Sequence, residues 1–376
     1  MAVPTVAAFT DTYLPTVNGV TYTVSTWRER WGRRGGRMHV VHPDAAAHDP
    51  VATEHPVRSV AFPYYEGFRL GLPTVPSAVE RDDIDIVHPH TPFLLGLGAA
   101  RFARRRDLPL VTSYHTPTAE YADYIADGRL SAAVEGVARR YERWYLDRAD
   151  TVVVPSTPAR EHLTDIGVGA SVEVVPNGVD TDRFRPVGTA AFRERHDLGD
   201  GPLLGYTGRH GYEKGLDAIL DAVDGFRVDG TRPTVVFGGD GPARGDLMAR
   251  AEGLDADVRF LGFLDREELP AFYSALDAFL FPSPVETQGL VALEANACGT
   301  PVVGVDSGAL AETVDEGETG YRFPRDDPAA FRDAIRRTLS ERETLSAACL
   351  ERRDATSVEQ AVDRLETVYR DAIDRH

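Results

Sequence analysis

Lysine is nearly absent from this chain of 376 residues: Lys214 stands alone, and the other forty cationic side chains are arginines. A single lysine can survive by drift. This one follows a predicted strand and a glycine turn, where a compact point charge suits anion binding. Cysteine is also scarce, and Cys298 and Cys349 match no zinc or redox spacing. This scarcity excludes a disulfide scaffold and favours a reduced cytoplasm.

Long hydrophobic runs are missing as well. No stretch approaches roughly eighteen uninterrupted apolar residues, which excludes a membrane-spanning helix. Residues 1–9 lack a basic region and lead directly to Asp11, so we expect a first core strand there and no signal peptide. We therefore expect a cytoplasmic protein, with peripheral binding to the inner face of the cell membrane as a further option.

Acidic residues outnumber basic ones and give a net charge of −18, which is typical of adaptation to high salt. The imbalance is uneven, since residues 1–190 carry a net charge of −3 and residues 191–376 one of −15. The arginines of the first half cluster near aromatic residues: Arg28, Arg30, Arg33, Arg34 and Arg37 with Trp27 and Trp31; Arg101, Arg104, Arg105 and Arg106; Arg139, Arg140 and Arg143 with Trp144 and Tyr145. Two interpretations stay open: solvated helix faces, or a surface for anionic lipid.

Short β-branched runs alternate with amphipathic segments along the whole chain. The predicted strands cover residues 5–9, 38–41, 84–88, 110–113, 151–154, 203–207, 234–237, 258–260, 278–281 and 301–303. The clearest predicted helices cover residues 215–223, 267–276, 289–298, 328–339 and 357–374. Nearly continuous apolar strands between helices predict an α/β protein with parallel sheets that helices cover on both faces.

The alternation starts twice, which predicts two doubly wound, Rossmann-like domains. The first would comprise residues 1–188, with the helix at about 357–376 packing back on it. The second would comprise residues 189–356. Open α/β sheets bind ligands at the carboxyl ends of their strands, so we expect a cleft between the two domains.

Histidines follow two predicted strands of the first half, at His88, His90 and His115. No carboxylate or cysteine completes a metal-ligand set at a familiar spacing, so we expect no metal and assign His90 and His115 to substrate hydrogen bonding. The loop after the first strand ends at Gly19, where a helix N-terminus favours an anion. It lacks the dinucleotide pattern G-x-G-x-x-G, which lowers the case for an oxidoreductase.

Charged residues follow strands of the second half. Arg209 offers a planar fork for phosphate oxygens and Lys214 a point charge, so the pair can neutralise a diphosphate. Glu286 and Glu294 stand at the two ends of an apolar loop-to-helix stretch. We expect them to bind sugar hydroxyls while the cations hold the phosphates. The order of residues does not match a Walker loop.

Together these motifs resemble the retaining nucleotide-sugar glycosyltransferases of family 4, which have the GT-B architecture. The resemblance covers nearly the whole chain. It rests on Asn18-Gly19, His90, His115, Pro176-Asn177-Gly178-Val179-Asp180, Arg209 with Lys214, Gly239-Asp240-Gly241-Pro242, and the pair Glu286 and Glu294. The order and spacing of these motifs, more than any single one, carry the resemblance.

The resemblance implies that residues 1–188 bind the acceptor and residues 189–356 bind the nucleotide sugar. It also implies roles for individual residues. Arg209 and Lys214 would stabilise the departing nucleoside diphosphate, and Glu294 would hydrogen-bond the ribose. Glu286 would contact the sugar. The remaining donor-binding positions would be Gly19, His90, Gly239, Gln288, Gly289 and Leu290, with His115 near the transferred sugar. No metal or other cofactor is implied, because the two cations supply the charge stabilisation. Retention would proceed by front-face attack, with a covalent intermediate on Glu286 as the less favoured mechanism.

Within the family, three segments look like the branch that glucosylates diacylglycerol: Thr10-Asp11-Thr12-Tyr13-Leu14-Pro15, the residues 114–124, and Glu286-Thr287-Gln288-Gly289-Leu290. This implies a UDP- or GDP-linked hexose as donor and a lipid or lipid-linked acceptor at the membrane surface, with no nucleic acid as partner. The residues expected on the acceptor side are Asp11, Tyr114 and Tyr121, with the loop 117–130.

Three alternatives stay open. The acceptor could be a soluble sugar or sugar phosphate. A nucleotide-sugar epimerase could use the same two-domain fold. A sugar-binding regulator without activity is the third, although Arg209, Lys214, Glu286 and Glu294 are all present.

Overall fold

The computed structural model describes residues 2–62, 68–115 and 131–376. Its strands are β1 (Thr5–Phe9), β2 (Arg37–Pro43), β3 (Glu54–Val57), β4 (Ser59–Ala61), β5 (Arg69–Gly71), β6 (Ile86–Pro89), β7 (Val111–Ser113), β8 (Thr151–Val154), β9 (Ser171–Val174), β10 (Leu203–Thr207), β11 (Thr234–Gly238), β12 (Asp257–Gly262), β13 (Ala278–Phe281), β14 (Val302–Val305) and β15 (Gly320–Phe323).

Helices lie between these strands. They are α1 (Gly19–Arg33), α2 (Ser77–Arg81), α3 (Leu94–Arg106), α4 (Ser131–Leu146), α5 (Thr157–Asp165), α6 (Ala190–Arg195), α7 (Asp217–Val223), α8 (Arg244–Ala251), α9 (Leu269–Ala275), α10 (Leu290–Ala297), α11 (Leu310–Thr313), α12 (Pro328–Ser340), α13 (Arg342–Glu351) and α14 (Val358–Arg375). No helix within the described residues is both long enough and apolar enough to span a bilayer.

The chain divides into two compact units. The first comprises Met1–Gly178 with Val358–His376, and the second comprises Val179–Ser357. The division at Gly178 precedes the boundary predicted at residue 188. The physical reason is that Val179 and Phe184 are buried in the hydrophobic core of the second unit, so the connector already belongs to that unit.

The first unit has a parallel sheet in the order β3-β2-β1-β6, and strands β7, β8 and β9 form a further parallel row. A parallel bridge from Val87 to Leu110 joins the two rows. The combined order reverses direction between β1 and β6. In an open α/β sheet this switch point is where ligands bind, because the connections on its two sides diverge and leave a crevice.

Helix α1 covers one face of this sheet. It begins after Asn18, whose side chain accepts a hydrogen bond from the Thr21 amide at 2.9 Å. Its indole rings face inward, where Trp31 packs edge-on against Tyr369 of α14 with ring centroids 5.3 Å apart. Helix α14 therefore completes the core of the first unit, which explains why the last residues group with that unit.

One interpretation of the arginines in and after α1 is wrong, namely that they form a lipid-binding surface with Trp27 and Trp31. Trp27 is 1% exposed and Trp31 is fully buried, so neither indole can reach a lipid surface. Arg30 and Arg34 pair with Glu359 and Asp363 of α14, at 2.7 and 2.6 Å. Core packing and ion pairing thus account for this cluster.

The second unit has a parallel sheet in the order β12-β11-β10-β13-β14-β15. It has the order 3-2-1-4-5-6 of a doubly wound nucleotide-binding sheet, and direction reverses between β10 and β13. Both strands are fully buried, which explains their uninterrupted apolar sequences. The loops after β10 and β13 consequently lie side by side, and these loops carry most of the predicted donor-binding residues.

Candidate active site

The lone lysine lies at the switch point of the second sheet. A 3₁₀ turn, Tyr212–Lys214, follows β10 and ends at Gly215, whose φ of 59° is the left-handed conformation that favours glycine. Lys214 Nζ lies 2.8 Å from Glu286 Oε1 in the loop after β13, and the two side chains are 18% and 16% exposed. The structure thus brings together two residues that the sequence analysis assigned to one site.

The guanidinium of Arg209 lies in the same loop as Lys214. It forms an ion pair with Glu213 at 2.6 Å, and the Arg209 side chain is 33% exposed. Glu213 was not predicted. The available signal was an acidic residue four positions after Arg209 in the same loop. Glu213 holds the fork of Arg209 in place beside the loop.

Gly239 lies in the loop after β11, against the loop that carries Arg209. Its φ is 107°, and a Cβ atom there would lie 2.0 Å from the Gly208 carbonyl oxygen. Only glycine allows this approach. On the other side of the contact, the His210 amide donates to the Asp240 carbonyl at 2.8 Å. Gly239 therefore sets the spacing between two loops of the site.

Helix α10 starts at the same edge of the sheet. Gly289 precedes it with φ 77° and ψ 51°, and a Cβ there would lie 2.7 Å from Leu310 Cδ2. The Thr313 hydroxyl donates to the Gln288 carbonyl at 2.6 Å, which fixes the segment before the helix. The N-terminal amides from Leu290 onward carry the positive end of the helix dipole, which favours an anion.

Glu294 differs sharply in environment from Glu286. It lies within α10 and is only 8% exposed. The Tyr273 hydroxyl donates a hydrogen bond to Glu294 Oε2 at 2.9 Å. Burial raises the pKa of Glu294, although Arg266, Tyr273 and Arg183 oppose this shift. Tyr273 is a residue that the sequence analysis missed.

In the first unit a pocket opens at the switch point between β1 and β6. His90 follows β6 and His115 follows β7. His90 Nδ1 lies 3.0 Å from His115 Nε2, and the two rings stack with centroids 5.3 Å apart. The pocket is lined by Thr12, Val20, Phe68, His90, Thr91, Pro92, Phe93, Ser113, Tyr114, His115, Glu142, Tyr145 and Leu146. The sequence analysis missed its aromatic wall, because Phe68 and Phe93 carry no motif.

The three histidines of this region are neutral. Burial lowers the pKa of His88 to about 3 and that of His115 to about 4, and it holds the pKa of His90 well below its usual value. His88 is a structural residue: its two ring nitrogens contact the Tyr369 hydroxyl at 2.5 Å and the Ser113 hydroxyl at 2.7 Å. Neutral imidazoles at His90 and His115 can donate and accept hydrogen bonds to sugar hydroxyls.

Asp11 is buried behind the pocket. The Gly71 amide donates to Asp11 Oδ1 at 2.9 Å, and the Thr91 hydroxyl and the Leu95 amide donate to Oδ2 at 2.9 and 3.3 Å. Burial raises the pKa of Asp11 to about 6, although the hydrogen bonds from these groups oppose this shift. Asp11 thus ties β5 and α3 to the loop after β1, and direct contact with an acceptor stays a prediction.

The other residues expected on the acceptor side fall into two groups. Tyr114 is 5% exposed, lines the pocket and stacks on His162 with ring centroids 6.1 Å apart. Tyr121 and the loop 117–130 lie outside the described residues. Gly19 is the first residue of α1, next to Val20 of the pocket wall. The predicted roles of these residues are untested.

Comparison with known proteins shows the family to which this chain belongs. A family model described as Glycosyltransferase Family 4 matches residues 17–183, and one described as Glycosyl transferases group 1 matches residues 189–352. A GDP-mannose-dependent alpha-mannosyltransferase of Mycobacterium tuberculosis is 32% identical over 85% of this chain and 83% of its own length. The chain belongs to glycosyltransferase family 4. The prediction of a hexosyltransferase is thereby confirmed.

Two further proteins are similar to this family 4 protein over nearly its whole length. An alpha-monoglucosyldiacylglycerol synthase of Streptococcus pneumoniae is 29% identical over 98% of this chain and 86% of its own length. The structure of a sucrose-phosphate synthase from Thermosynechococcus elongatus has a TM-score of 0.80 at 22% identity, covering 99% of this chain and all of the other. The predicted GT-B fold class, with two Rossmann-like domains, is confirmed.

Proposed function

We propose that this family 4 enzyme transfers a hexose, with retention of configuration, from a nucleoside-diphosphate sugar to a lipid or lipid-linked acceptor at a membrane surface. The observation that carries the donor half is the placement of Arg209 and Lys214 at the switch point of the second sheet. Lys214 is linked there to Glu286 at 2.8 Å. In doubly wound sheets this is the position that binds nucleotide phosphates.

The leaving group determines what the cations do. When the bond from the sugar to the diphosphate breaks, negative charge develops on a phosphate oxygen, and fixed cations stabilise that charge. Arg209 would bind two oxygens through its fork, and Lys214 would meet the oxygen that departs. No metal is required for this neutralisation.

The neighbouring groups would hold the rest of the donor. Glu286 would accept hydrogen bonds from the sugar hydroxyls while it keeps Lys214 in place. The segment Gln288–Leu290 would present amides to the sugar and the phosphates. Glu294 has one oxygen bound by Tyr273, and its other oxygen would accept from the ribose. Glu286 and Glu294 would thus bind different parts of the donor, the transferred sugar and the ribose.

Retention follows if the acceptor attacks from the side that the diphosphate leaves. A bond from the acceptor oxygen to the sugar C1 forms while the C1–O bond to the diphosphate breaks. The proton of the acceptor hydroxyl passes to the departing phosphate oxygen. No protein nucleophile is needed, and Glu286 serves binding in this scheme.

The lipid half of the proposal has three supports. A relative that matches 98% of the chain is named as an alpha-monoglucosyldiacylglycerol synthase. The pocket of the first unit has an aromatic wall that includes Phe68 and Phe93. Helix α4 exposes Val137 and Trp144, 70% and 46% accessible, on a helix that also carries three arginines of the sequence clusters. Exposed apolar side chains next to arginines suit an anionic lipid surface.

Two assays test the proposal. A panel of UDP- and GDP-linked hexoses is incubated with membrane extract, and the products are identified by mass spectrometry. We expect a hexosylated lipid that requires both donor and extract. Conversion of the donor without any acceptor would identify an epimerase, and a hexosylated soluble sugar or sugar phosphate would replace the lipid acceptor.

Liposome flotation tests membrane contact separately. We expect the wild-type protein to float with vesicles that contain anionic lipid, and the double variant Val137→Ser/Trp144→Ser to float less. The exposed Met248→Ser of α8 is the matched control, since it removes an apolar side chain elsewhere. Equal flotation of all three proteins would contradict a role for α4, and no flotation of the wild type would contradict membrane contact.

A further inference from the structure

Three potential metal ligands meet at the crossover from β2 to β3, and none of them is a residue assigned to sugar transfer. His42 lies near the end of β2, His48 lies in the connecting loop, and Glu54 begins β3. One ligand atom from each side chain can be chosen so that all three lie within 4.8 Å of one another. This group was not predicted, because its members are spread over thirteen positions around a loop.

His42 is oriented as a metal-binding histidine usually is. The residue is 1% exposed, and its Nδ1 lies 2.9 Å from the Pro43 carbonyl oxygen. A carbonyl only accepts hydrogen bonds, so Nδ1 carries the proton and Nε2 presents a lone pair. Within the described part of the chain, Nε2 has no hydrogen-bond partner although it is buried. A second ring nitrogen bonded to a backbone carbonyl is the common support of a metal ligand.

The two oxygens of Glu54 have different surroundings. Its Oε1 accepts from the Tyr13 hydroxyl at 2.8 Å and lies 3.3 Å from Arg28. Its Oε2 faces His48 Nε2 at 2.8 Å and the Val51 amide at 3.1 Å. Burial opposes ionisation of Glu54, but the hydrogen bonds from these groups outweigh it and lower its pKa.

We propose that His42 Nε2, His48 Nε2 and Glu54 Oε2 bind a divalent transition-metal ion, with Zn²⁺ as the ion that fits best. Two imidazoles and one carboxylate form an established zinc ligand set, in which water takes the fourth position. Imidazole donors favour such ions over Mg²⁺ or Ca²⁺, which prefer oxygen.

The geometry requires only a modest adjustment. Bonds of about 2.0–2.1 Å place tetrahedral ligand atoms roughly 3.3 Å apart. The contact of His48 with Glu54, at 2.8 Å, must open slightly. The most distant pair of the group, no more than 4.8 Å apart, must close by up to about 1.5 Å through side-chain rotation.

The role of this ion is structural. It would fix the crossover loop 44–53 to the sheet and would replace the hydrogen bond between His48 and Glu54 with two metal bonds. Arg28 already neutralises part of the negative charge of Glu54, so the three ligands attract a cation less strongly than they would without it. None of the three ligands is a residue assigned to donor binding, so either proposal can fail without the other.

Metal binding by untagged, chelator-treated protein tests the inference. Zn²⁺ titrations are made in excess Mg²⁺, which occupies surface carboxylates of this acidic chain, and binding is followed by equilibrium dialysis, the melting temperature and the visible spectrum with Co²⁺. His48→Asn removes one ligand but keeps Glu54. His55→Gln is the matched control, because His55 adjoins Glu54 in β3 and contacts His39 at 2.8 Å.

We expect one tightly bound Zn²⁺ per chain in the wild type and in His55→Gln, a raised melting temperature, and a tetrahedral Co²⁺ spectrum. His48→Asn should bind Zn²⁺ at least about tenfold more weakly than the wild type. Its melting temperature should no longer rise when Zn²⁺ is added. Circular dichroism of each metal-free variant checks its fold. The inference is overturned if the wild type binds no Zn²⁺ above the Mg²⁺ background, if His48→Asn binds as well as the wild type, or if His55→Gln is the variant that loses binding.

Discussion

Lys214 and Glu286 are separated by 72 positions in the chain, yet their charged atoms lie 2.8 Å apart. The contact joins the loops after β10 and β13, the two strands between which the second sheet reverses direction. A carboxylate therefore fixes the ammonium at the place where nucleotide phosphates bind in such sheets. This contact gives the lone lysine a defined position, so removal of its ammonium group should affect sugar transfer.

Removal of the ammonium should affect turnover far more than folding. We expect Lys214→Ala to lower kcat about 10²- to 10³-fold, because charge on the departing diphosphate loses its partner. The measurement is steady-state transfer, with far-UV circular dichroism to check the fold. Arg250→Ala is the charge-matched control, since Arg250 is an exposed cation of α8 and pairs with the nearby Asp217 and Asp221.

Lys214→Arg separates charge from shape. The guanidinium keeps the charge but is planar and larger, so it cannot occupy the position of a compact ammonium against Glu286. We expect a substantial loss of kcat, smaller than that of Lys214→Ala. Near-normal transfer by the arginine variant would show that charge alone suffices, and near-normal transfer by the alanine variant would remove Lys214 from the leaving-group role.

Gly239 should be irreplaceable for steric reasons. A Cβ at this position would lie 2.0 Å from the Gly208 carbonyl, at a φ of 107°. We expect Gly239→Ala to lower the free energy of unfolding by more than about 2 kcal/mol. Gly245→Ala in α8 is the control, because nothing lies within 4 Å of its added methyl group. That variant should be neutral or more stable by up to about 1 kcal/mol. Urea unfolding of both variants measures the contrast.

Asp11 should make stability depend on pH. Its pKa is about 6 in the folded protein against 3.8 as the ordinary value. The folded state therefore binds the extra proton between about pH 4 and pH 6, and the free energy of unfolding falls as the pH rises through that window. The full contribution is about 3 kcal/mol, since each pKa unit corresponds to about 1.4 kcal/mol.

Asp11→Asn isolates this effect. The variant should lose the slope that Asp11 causes, and it should be less stable at pH 4 by about 1–3 kcal/mol because one buried donor loses its acceptor. The buried histidines have lowered pKa values and cause the opposite slope. The quantity to compare is thus the difference between wild type and variant in urea unfolding across pH 4 to 7. A constant difference would contradict the raised pKa.

The hydrogen bond from Tyr273 to Glu294 should contribute to stability because both groups are buried. We expect Tyr273→Phe to cost about 1–3 kcal/mol, the usual effect of leaving a buried acceptor unsatisfied. Tyr321→Phe is a matched control: it removes a similar bond, of 2.6 Å, to the solvent-exposed Glu341, where water replaces the lost donor. Equal losses in the free energy of unfolding would show that burial of Glu294 does not make the loss of its hydrogen bond more costly.

Much of the fold follows from the sequence because buried parallel strands need continuous apolar runs. The strands β1, β8, β10 and β13 begin and end where the sequence predicts, and each is buried along nearly its full length. The strands that were missed lie at the edges: β3 contains Pro56, and alternate residues of β9 are exposed. An edge strand pairs with one neighbouring strand and needs only a partly apolar sequence. Its sequence pattern therefore indicates a strand less clearly.

The sequence by itself determined the two α/β halves, the family and the residue types of the donor site, because loops after strands and a single lysine are local features. Only the tertiary structure decided that Lys214 meets Glu286, that Asp11 is buried, and that His42 comes close to Glu54. Such contacts depend on the order of strands within a sheet, which sets which loops become neighbours. That order arises from packing between distant segments, and no local pattern records it.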